Sequence, residues 1–267
     1  MKIHHIRNAT MVVEIGNRFI LVDPMLGRIG ESAPPFSFFR FKKRRNPVTN
    51  LPETATGLLD RVSHCLITHL HADHIDKAGV EFLKTRSIPV TCSVRDVKRL
   101  RAKGLTIVRT LDYWEEADFY GGTIQGIPAR HGYGFAARLA GPVMGYFIRF
   151  AEGPSLYLAS DTIYTDDVRR VLTEYKPTIS VIPAGSAQLD MFQPLMMRVV
   201  DILDFVRDAP GLVIANHMEA LNHCPNTRKE LRVALSKDGL EEKVWIPVDG
   251  EGREFSELVD RRRETVT

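Results

Sequence analysis

Short hydrophobic runs separated by turn residues dominate the first half of the chain, and this pattern is typical of a β-meander. Runs rich in β-branched and aromatic residues predict strands over residues 1–6, 11–15, 18–22, 62–68, 105–108, 117–120 and 123–127. Gly16-Asn17 provides the turn of a first hairpin. Two further runs, 145–150 and 155–159, predict a second hairpin that turns at residues 152–154.

Helical periodicity lies mainly in the second half of the chain, where it alternates with strands. Helices are predicted over residues 77–84, 93–102, 166–175, 194–207 and 227–237, the first capped by Asp76 and the second opened by a capping box of Ser93 and Asp96. Strands at 179–182, 212–214 and 244–246 lie between or after the later helices. This alternation indicates helices packed on the faces of sheets. Because neither repeats nor linkers interrupt the chain, we expect a single domain over residues 1–267.

Residues 28–52 differ from the rest of the chain in composition and show neither helical nor strand periodicity. The segment contains Pro34-Pro35, phenylalanines at positions 36, 38, 39 and 41, and the basic run at 42–45. Loops of this length without regular structure are usually functional or disordered. The density of phenylalanine favours an insertion loop that packs against another part of the protein.

Composition narrows the class of protein. The apolar fraction of 44% and the charged fraction of 26% argue against a disordered chain, a collagen-like repeat or a coiled coil. A net charge of +3 is too small to indicate a surface that binds nucleic acid. No stretch approaches roughly 18 consecutive apolar residues, so we expect no transmembrane helix. Three scattered cysteines indicate neither a disulfide framework nor a zinc ribbon, and a reducing, cytoplasmic location fits best.

The strongest chemical signal is a cluster of histidines and an aspartate directly after the predicted strand 62–68. Its pattern is His69-x-His71-x-Asp73-His74, which places four potential ligands within six residues. Imidazole nitrogens and carboxylate oxygens are ligands that zinc and other borderline divalent ions accept. A turn at the end of a strand can direct alternate side chains into one cavity, so the cluster predicts a metal site. The alternative is a polar surface turn in which the histidines are incidental.

This segment resembles the signature of the metallo-β-lactamase superfamily, and four other positions fit that family in chain order. They are Asp23 in Leu21-Val22-Asp23-Pro24, His131 in Ala129-Arg130-His131-Gly132, Asp161 in Ala159-Ser160-Asp161-Thr162 and His217 in Ala215-Asn216-His217-Met218. More narrowly, the chain looks like the branch that includes ascorbate-phosphate lactonases and N-acyl-phosphatidylethanolamine phosphodiesterases. It departs from that branch at residues 7–10, where Arg-Asn-Ala-Thr replaces a Gly-His-Ser/Ala turn.

The resemblance implies an α+β fold, the four-layer αβ/βα sandwich of the metallo-β-lactamases, with two metals at one edge between the sheets. It assigns His69, His71 and His131 to one metal and Asp73, His74 and His217 to the other, with Asp161 bridging the two and Asp23 bracing the ligand loop. Two divalent ions about 3.5–4 Å apart can stabilise both the attacking and the leaving oxygen. Zinc is expected for a histidine-rich site, although manganese or iron would accept the same ligands.

Each of the distant ligand candidates also has a plainer interpretation, as a residue at a strand edge or a cap of a turn. Weaker candidates for substrate contacts follow the later strands; they are Gln188, Glu219 and His223. For the last two, a hydrogen-bonding turn explains the pattern equally well. The remaining histidines, which we expect to be structural or surface residues, are His4, His5 and His64.

Together these implications predict a dinuclear metal-dependent hydrolase, in which a metal-bound hydroxide attacks a small ester, lactone or phosphoester. Asp73 would orient the attacking water or carry its proton, and Asp161 would hold the two metals together. One alternative is a nucleic-acid-processing nuclease of the same fold, which the weak net charge disfavours. The other is a non-catalytic module that binds a metal or a ligand. The expected partner is a small-molecule substrate, and the sequence is compatible with a homo-oligomer.

The position of the insertion in the chain suggests its role. Residues 28–52 lie between the strand that ends near Asp23 and the strand that delivers His69, so both ends of the segment start near the predicted metals. We therefore expect the insertion to cover the metal cleft as a lid or substrate wall, with its phenylalanines against an apolar part of the substrate. An interface between subunits or a solvated surface loop would also account for its composition.

Overall fold

Two mixed sheets of seven strands each form the centre of the computed structural model, which describes residues 1–191 and 193–255. The first sheet contains β1 (Lys2–Arg7), β2 (Thr10–Ile15), β3 (Arg18–Val22), β4 (His64–Leu66), β5 (Val90–Ser93), β6 (Ile107–Leu111) and β14 (Gly252–Glu254). Their order is β14-β1-β2-β3-β4-β5-β6. Pairing is antiparallel from β14 to β3 and parallel from β3 to β6, so the β-meander predicted for the N-terminus is confirmed.

The second sheet is built in the same way from the second half of the chain. It contains β7 (Glu116–Phe119), β8 (Gly122–Ala129), β9 (Val143–Arg149), β10 (Leu156–Leu158), β11 (Ile179–Pro183), β12 (Leu212–Asn216) and β13 (Val244–Trp245). The order is β13-β12-β11-β10-β9-β8-β7. Strands β7 to β10 pair antiparallel, which confirms the predicted second hairpin, and β10 to β13 pair parallel.

Helices cover the outer face of each sheet. The helices are α1 (Ala55–Leu59), α2 (Lys77–Thr85), α3 (Val97–Ala102), α4 (Ala136–Ala140), α5 (Asp166–Arg170), α6 (Val199–Asp208) and α7 (Arg228–Lys237). Apolar residues of α1, α2 and α3 pack with the first sheet, and those of α5, α6 and α7 pack with the second. A central core, which includes Met11 and Tyr146, fills the space between the sheets. The predicted four-layer αβ/βα sandwich is therefore confirmed.

The start of two predicted helices is wrong. Ser93 does not open a capping box, because it is the last residue of β5 and its Oγ accepts a hydrogen bond from the N–H of Arg95. Helix α3 begins only after Asp96. The predicted helix 194–207 begins at Val199, because residues 194–197 make contacts with other segments instead. The N–H of Leu195, for example, donates to the carbonyl of Ala187.

Four short elements were not predicted, because each is too short to show a clear periodic pattern. They are α1, α4, β5 and β14. The predicted helix 166–175 is present, although its second half, Val171–Tyr175, winds as a π-helix. Among the described residues, no helix has the length and apolar character needed to span a membrane. The arginine-rich tail at residues 261–267, whose composition predicts a solvated terminus, lies in the part of the chain beyond residue 255 that the structure does not describe.

Residues 28–52 contain no helix or strand, as the sequence predicts, but many of their polar groups are tied to the rest of the protein. The carboxylate of Asp76, which caps α2, also accepts hydrogen bonds from the N–H groups of Leu26 and Gly27 and from the hydroxyl of Ser32. A single bridge between Ala33 and Asn46 closes the segment on itself. One carboxylate thus links the helix after the histidine cluster to the beginning of the insertion.

Candidate metal centre

The candidate ligands lie where four strands end. The cluster from His69 to His74 follows β4, whereas His131, Asp161 and His217 follow β8, β10 and β12 respectively. Because β10 and β12 both run parallel to β11, their carboxyl ends meet at the same edge of the sheet. His217 adopts φ = 57°, in the left-handed region that residues other than glycine rarely occupy. Backbone strain of this kind concentrates at functional sites.

Three histidines form the first group of candidate ligands, with one nitrogen of each ring within 4.8 Å of the others. His69 Nε2 lies 3.1 Å from His71 Nδ1. The other nitrogens of two rings are held from behind, because His71 Nε2 is 2.9 Å from the carbonyl oxygen of Ala140 and His131 Nδ1 is 2.8 Å from that of Leu195. Each of these rings donates a proton to a carbonyl and presents its other nitrogen to the group, which is the arrangement typical of metal-bound histidine.

The second group joins Asp73, His74, Asp161 and His217, again with one atom of each within 4.8 Å of the others. His217 Nε2 lies 3.1 Å from Asp73 Oδ2 and 3.2 Å from His74 Nε2. All four side chains are buried. These residues come from three separate parts of the chain, so only the fold brings them together.

Asp161 lies between the two groups. Its Oδ2 is 3.3 Å from Nε2 of both His131 and His74, and 3.9 Å from Nε2 of His69. Its Oδ1 is 3.5 Å from His217 Nε2 and, within the described part of the chain, has no hydrogen-bond partner although it is buried. A buried carboxylate oxygen without a partner is costly unless a cation satisfies it. Asp161 is therefore within reach of both groups of candidate ligands.

Asp23 braces the ligand loop from behind. Its Oδ2 lies 2.8 Å from His74 Nδ1 and 2.7 Å from the hydroxyl of Thr68, and its Oδ1 accepts the N–H of Thr68 at 2.8 Å. The Thr68 hydroxyl is in turn 3.0 Å from His69 Nδ1. Carboxylate partners of this kind fix the orientation of a ligand histidine and raise its basicity.

Residues 7–10, where the chain departs from the resembled branch, also support the site. The amide of Asn8 donates to the carbonyl of Asp73 at 3.0 Å, and the carbonyl of Asn8 accepts the N–H of His217 at 2.9 Å. The fully buried guanidinium of Arg7 donates to the carbonyls of Met25, Gly27 and Thr49, at both ends of the insertion. Sequence reasoning missed these roles, because a hydrogen bond to backbone leaves no pattern in the sequence.

The charges of the cluster suit a divalent cation. Burial alone would raise the pKa of Asp73 and of Asp161, but the neighbouring His74 and His217 outweigh burial and hold both pKa values well below their usual range. Burial lowers the pKa of His69 well below its ordinary value, so this ring is neutral. Burial alone would lower the pKa values of His74 and His217, but the carboxylates of Asp161 and Asp73 outweigh burial and raise the first to about 10 and the second well above its usual range. These two rings therefore hold protons that a bound divalent cation would displace. The donor set therefore fits the metals that the family resemblance implies.

A cavity of about 240 Å³ opens directly onto both groups. Its lining combines four candidate ligands with apolar side chains and one further histidine: Phe36, His71, Ala72, Asp73, His131, Ala140, Asp161, Leu189, Leu195 and His223. The volume lies below the range of about 300–1,000 Å³ that is common for pockets of drug-sized ligands. The cavity thus suits a small molecule with an apolar part.

The insertion supplies one wall of this cavity, through Phe36. Asn222 holds that wall in place, since its side-chain oxygen accepts the N–H of Phe36 at 3.0 Å and its amide donates to the carbonyl of Ser37 at 2.8 Å. Asp190 accepts hydrogen bonds from the hydroxyl of Ser37 and from three successive backbone N–H groups at residues 38–40. These bonds hold the pKa of Asp190 well below its usual range. The structure accordingly places part of the insertion at the cleft.

The three weaker candidates for substrate contacts occupy different positions. His223 lines the cavity, whereas Gln188 and Glu219 are not among the lining residues that the structure describes. The N–H of Gln188 donates to the carbonyl of His223 at 2.9 Å. The carboxylate of Glu219 pairs with the guanidinium of Arg228 instead.

The remaining histidines lie away from both groups. His4 pairs with Glu14, and His5 lies 3.4 Å from a carboxylate oxygen of Asp249. His64 contacts the hydroxyls of Thr91 and Tyr120, and burial lowers its pKa to about 4. Within the described residues, none of the three belongs to a potential metal group. Their predicted structural role agrees with these contacts.

Comparison with known proteins agrees with the fold. The family described as "Beta-lactamase superfamily domain" matches residues 18–227. The UPF0173 protein YddR of Bacillus subtilis is 32% identical over 257 residues, which cover 96% of this chain and 100% of that protein. A protein of Flavobacterium johnsoniae named "UPF0173 metal-dependent hydrolase" is 22% identical over 90% of this chain and 100% of its own length.

Two solved structures are similar over nearly the whole chain. The structure of a possible metal-dependent hydrolase from Veillonella parvula has 30% identity and a TM-score of 0.88, covering 96% of this chain and 99% of its own. That of isothiocyanate hydrolase from Delia radicum gut bacteria has 31% identity and a TM-score of 0.85, with the same coverage. The chain therefore belongs to the metallo-β-lactamase superfamily and, within it, to the UPF0173 family of metal-dependent hydrolases.

Proposed function

We propose that this hydrolase uses two divalent ions. His69, His71 and His131 would hold one, Asp73, His74 and His217 the other, and Asp161 would be shared. The observation that carries the proposal is the buried carboxylate of Asp161, which lies within 3.3 Å of a histidine from each group and has one oxygen without a hydrogen-bond partner in the described structure. Zinc is the expected metal, and manganese or iron would accept the same donors.

When bound, the ions supply Lewis acidity, which polarises the bond to be broken and makes a water more acidic. The protein's own part is positioning. Asp73 both belongs to the second group and lines the cavity, so its carboxylate can accept a hydrogen bond from the attacking water and orient it. Phe36, Leu189 and Leu195 line the same cavity and keep bulk water away from the reacting centre.

The cavity favours a substrate attacked at carbon, such as a small ester or lactone. No lysine or arginine occurs among its lining residues in the described chain. A phosphoester bound to the two ions would find no lysine or arginine in this lining for the anionic oxygens that the ions do not bind. The absence of such partners supports an uncharged substrate over the phosphoester chemistry that the narrower family resemblance implies, and over a nuclease activity.

A second candidate substrate class is the isothiocyanates. The relative named isothiocyanate hydrolase is 31% identical over 96% of this chain. An isothiocyanate is uncharged, has an electrophilic carbon and carries an organic group that can be apolar. These properties match a small cavity that is lined both by apolar side chains and by candidate metal ligands.

An activity panel on reconstituted protein tests the proposal. Protein loaded separately with zinc, manganese and ferrous iron would be assayed with phenyl acetate, γ-butyrolactone, benzyl isothiocyanate, p-nitrophenyl phosphate and bis(p-nitrophenyl) phosphate. We expect metal-dependent turnover of at least one of the uncharged compounds, faster than that of either phosphoester. A protein that binds two metals and turns over none of the five would contradict the proposed hydrolysis. A preference for a phosphoester would contradict the substrate class.

Loosening the wall formed by the insertion should weaken substrate binding. Asp190→Ala removes the carboxylate that binds Ser37 and the backbone of residues 38–40, so Phe36 loses part of its support. Because ordering one side chain on binding costs about 0.5–1.5 kcal/mol, we expect KM to rise by roughly twofold to tenfold. Metal content should stay unchanged. Asp118→Ala, at an exposed position on β7, is the control, and an unchanged KM in Asp190→Ala would contradict the role of the insertion.

A further inference from the structure

His223 is unusual among the residues around the cavity. Of the lining residues that the structure describes, four are candidate metal ligands and five have apolar side chains, namely Phe36, Ala72, Ala140, Leu189 and Leu195. His223 is the remaining one. His223 is therefore the one hydrogen-bonding side chain among these lining residues that belongs to neither group of candidate ligands.

The ring of His223 is buried without full hydrogen bonding. The residue is 5% exposed, and its Nδ1 has no partner in the described structure. Burial lowers the pKa of His223 to about 4. The imidazole is consequently neutral at pH 7, with one N–H donor and one acceptor nitrogen. A buried polar group without a partner costs stability, and such groups in native proteins often serve a function.

Neighbouring residues hold this ring in one place. The ring of Phe36 packs against it edge-on, with centroids 4.8 Å apart and an interplanar angle of 65°. The carbonyl of His223 accepts the N–H of Gln188, and the adjacent Asn222 is bonded to the insertion through its side chain and its own N–H. The ring is thus part of the wall, close to where an apolar group of a ligand would lie.

We propose that His223 recognises the substrate, by a hydrogen bond between its imidazole and one heteroatom of an uncharged small molecule whose apolar group fills the rest of the cavity. This inference rests on the proposed hydrolase function and narrows its substrate to carbonyl or isothiocyanate compounds with a compact apolar group. Among the described lining residues, His223 is the one hydrogen-bonding side chain outside the two ligand groups. The wall can therefore form a side-chain hydrogen bond with one heteroatom of a ligand.

Binding of an unreactive ketone tests this role separately from catalysis. Acetophenone, which has one carbonyl oxygen and one phenyl group, would be titrated into zinc-loaded wild type, His223→Leu and His223→Gln. The control is His4→Leu, because His4 pairs with Glu14 away from the cavity. Zinc content and melting temperature would be measured for all four proteins, together with kcat and KM for phenyl acetate.

We expect the leucine variant to bind acetophenone about tenfold more weakly, and the glutamine variant to retain most of the affinity because it keeps a donor and an acceptor. KM for phenyl acetate should rise in the leucine variant, while zinc content and melting temperature stay at or above wild-type values. Unchanged affinity in His223→Leu, or no ketone binding by the wild type, would overturn the inference. Ketone binding that depends on His223, without turnover of any compound in the activity panel, would support recognition and contradict the proposed hydrolysis.

Discussion

Asp161→Asn is expected to lower kcat of the metal-loaded protein by at least about two orders of magnitude while leaving the fold intact. The amide has the shape of the carboxylate but not its charge. The side-chain nitrogen of asparagine is a hydrogen-bond donor, so it could not bind a cation in place of a carboxylate oxygen. In the wild type, Asp161 Oδ2 lies 3.3 Å from Nε2 of both His131 and His74. Two ions held by the two groups would then repel each other more strongly, because no anion would lie between them. Steady-state kinetics and metal analysis on the same preparation measure both effects.

The matched control for this substitution is Asp118→Asn. Asp118 is exposed on β7, so the same chemical change should leave kcat and metal content as in the wild type. Circular dichroism should show the same secondary structure for all three proteins. An Asp161→Asn protein with normal turnover and two bound metals would remove Asp161 from the proposed centre.

The fold could be predicted well where the local sequence pattern and the tertiary structure favour the same secondary structure. The strands at residues 2–7, 10–15 and 18–22 combine alternating or apolar runs with a Gly-Asn turn, and each lies within a residue or two of its predicted bounds. The helix starting at Lys77 is signalled by Asp76, whose carboxylate accepts the N–H of Gly79. The start of α6 could not be predicted, because the backbone groups of Leu195 and Met197 bond to Ala187 and Thr162, in distant loops, rather than to their own helix.

The residues of the site likewise differ in how far the sequence alone predicts them. His69, His71, Asp73 and His74 form a local cluster that is visible in the sequence, whereas His131, Asp161 and His217 became candidates through the resemblance to a known family. Hydrogen bonds between distant segments left no recognisable pattern in the sequence. Arg7, Asn8 and Asn222 act through backbone carbonyls and N–H groups, which every residue possesses. Such partners become visible only when the chain is folded.

For the insertion, amino-acid composition predicts only part of what the structure shows. Its phenylalanines indicate packing, but the pattern alone does not distinguish which ring packs where. In the structure Phe36 lines the cavity, while Phe39 is 91% exposed and Phe38 is 47% exposed. The difference follows from Asp190 and Asn222, which fix the backbone between these rings. One phenylalanine therefore serves the cavity, and the neighbouring rings face outward.

Removing the metals should abolish turnover and lower thermal stability together. The centre buries Asp23, Asp73 and Asp161 within a cluster of imidazoles, and ions bound only by the folded chain stabilise it by mass action. At free metal about 100-fold above Kd, the gain is about 2.7 kcal/mol. For a chain of this size that corresponds to a fall in Tm of roughly 5–10 °C on chelation. Calorimetry before and after treatment with a chelator, followed by reconstitution, measures the change.

The Asp161→Asn protein makes this result specific to the centre. If Asp161 is shared by the two ions, chelation should lower the Tm of the variant less than that of the wild type, because the variant binds less metal at the start. Asp118→Asn should lose as much stability on chelation as the wild type does. Equal losses in Asp161→Asn and wild type would place the stabilising metal elsewhere. An unchanged Tm after metal analysis has confirmed complete removal would contradict a structural contribution of the ions.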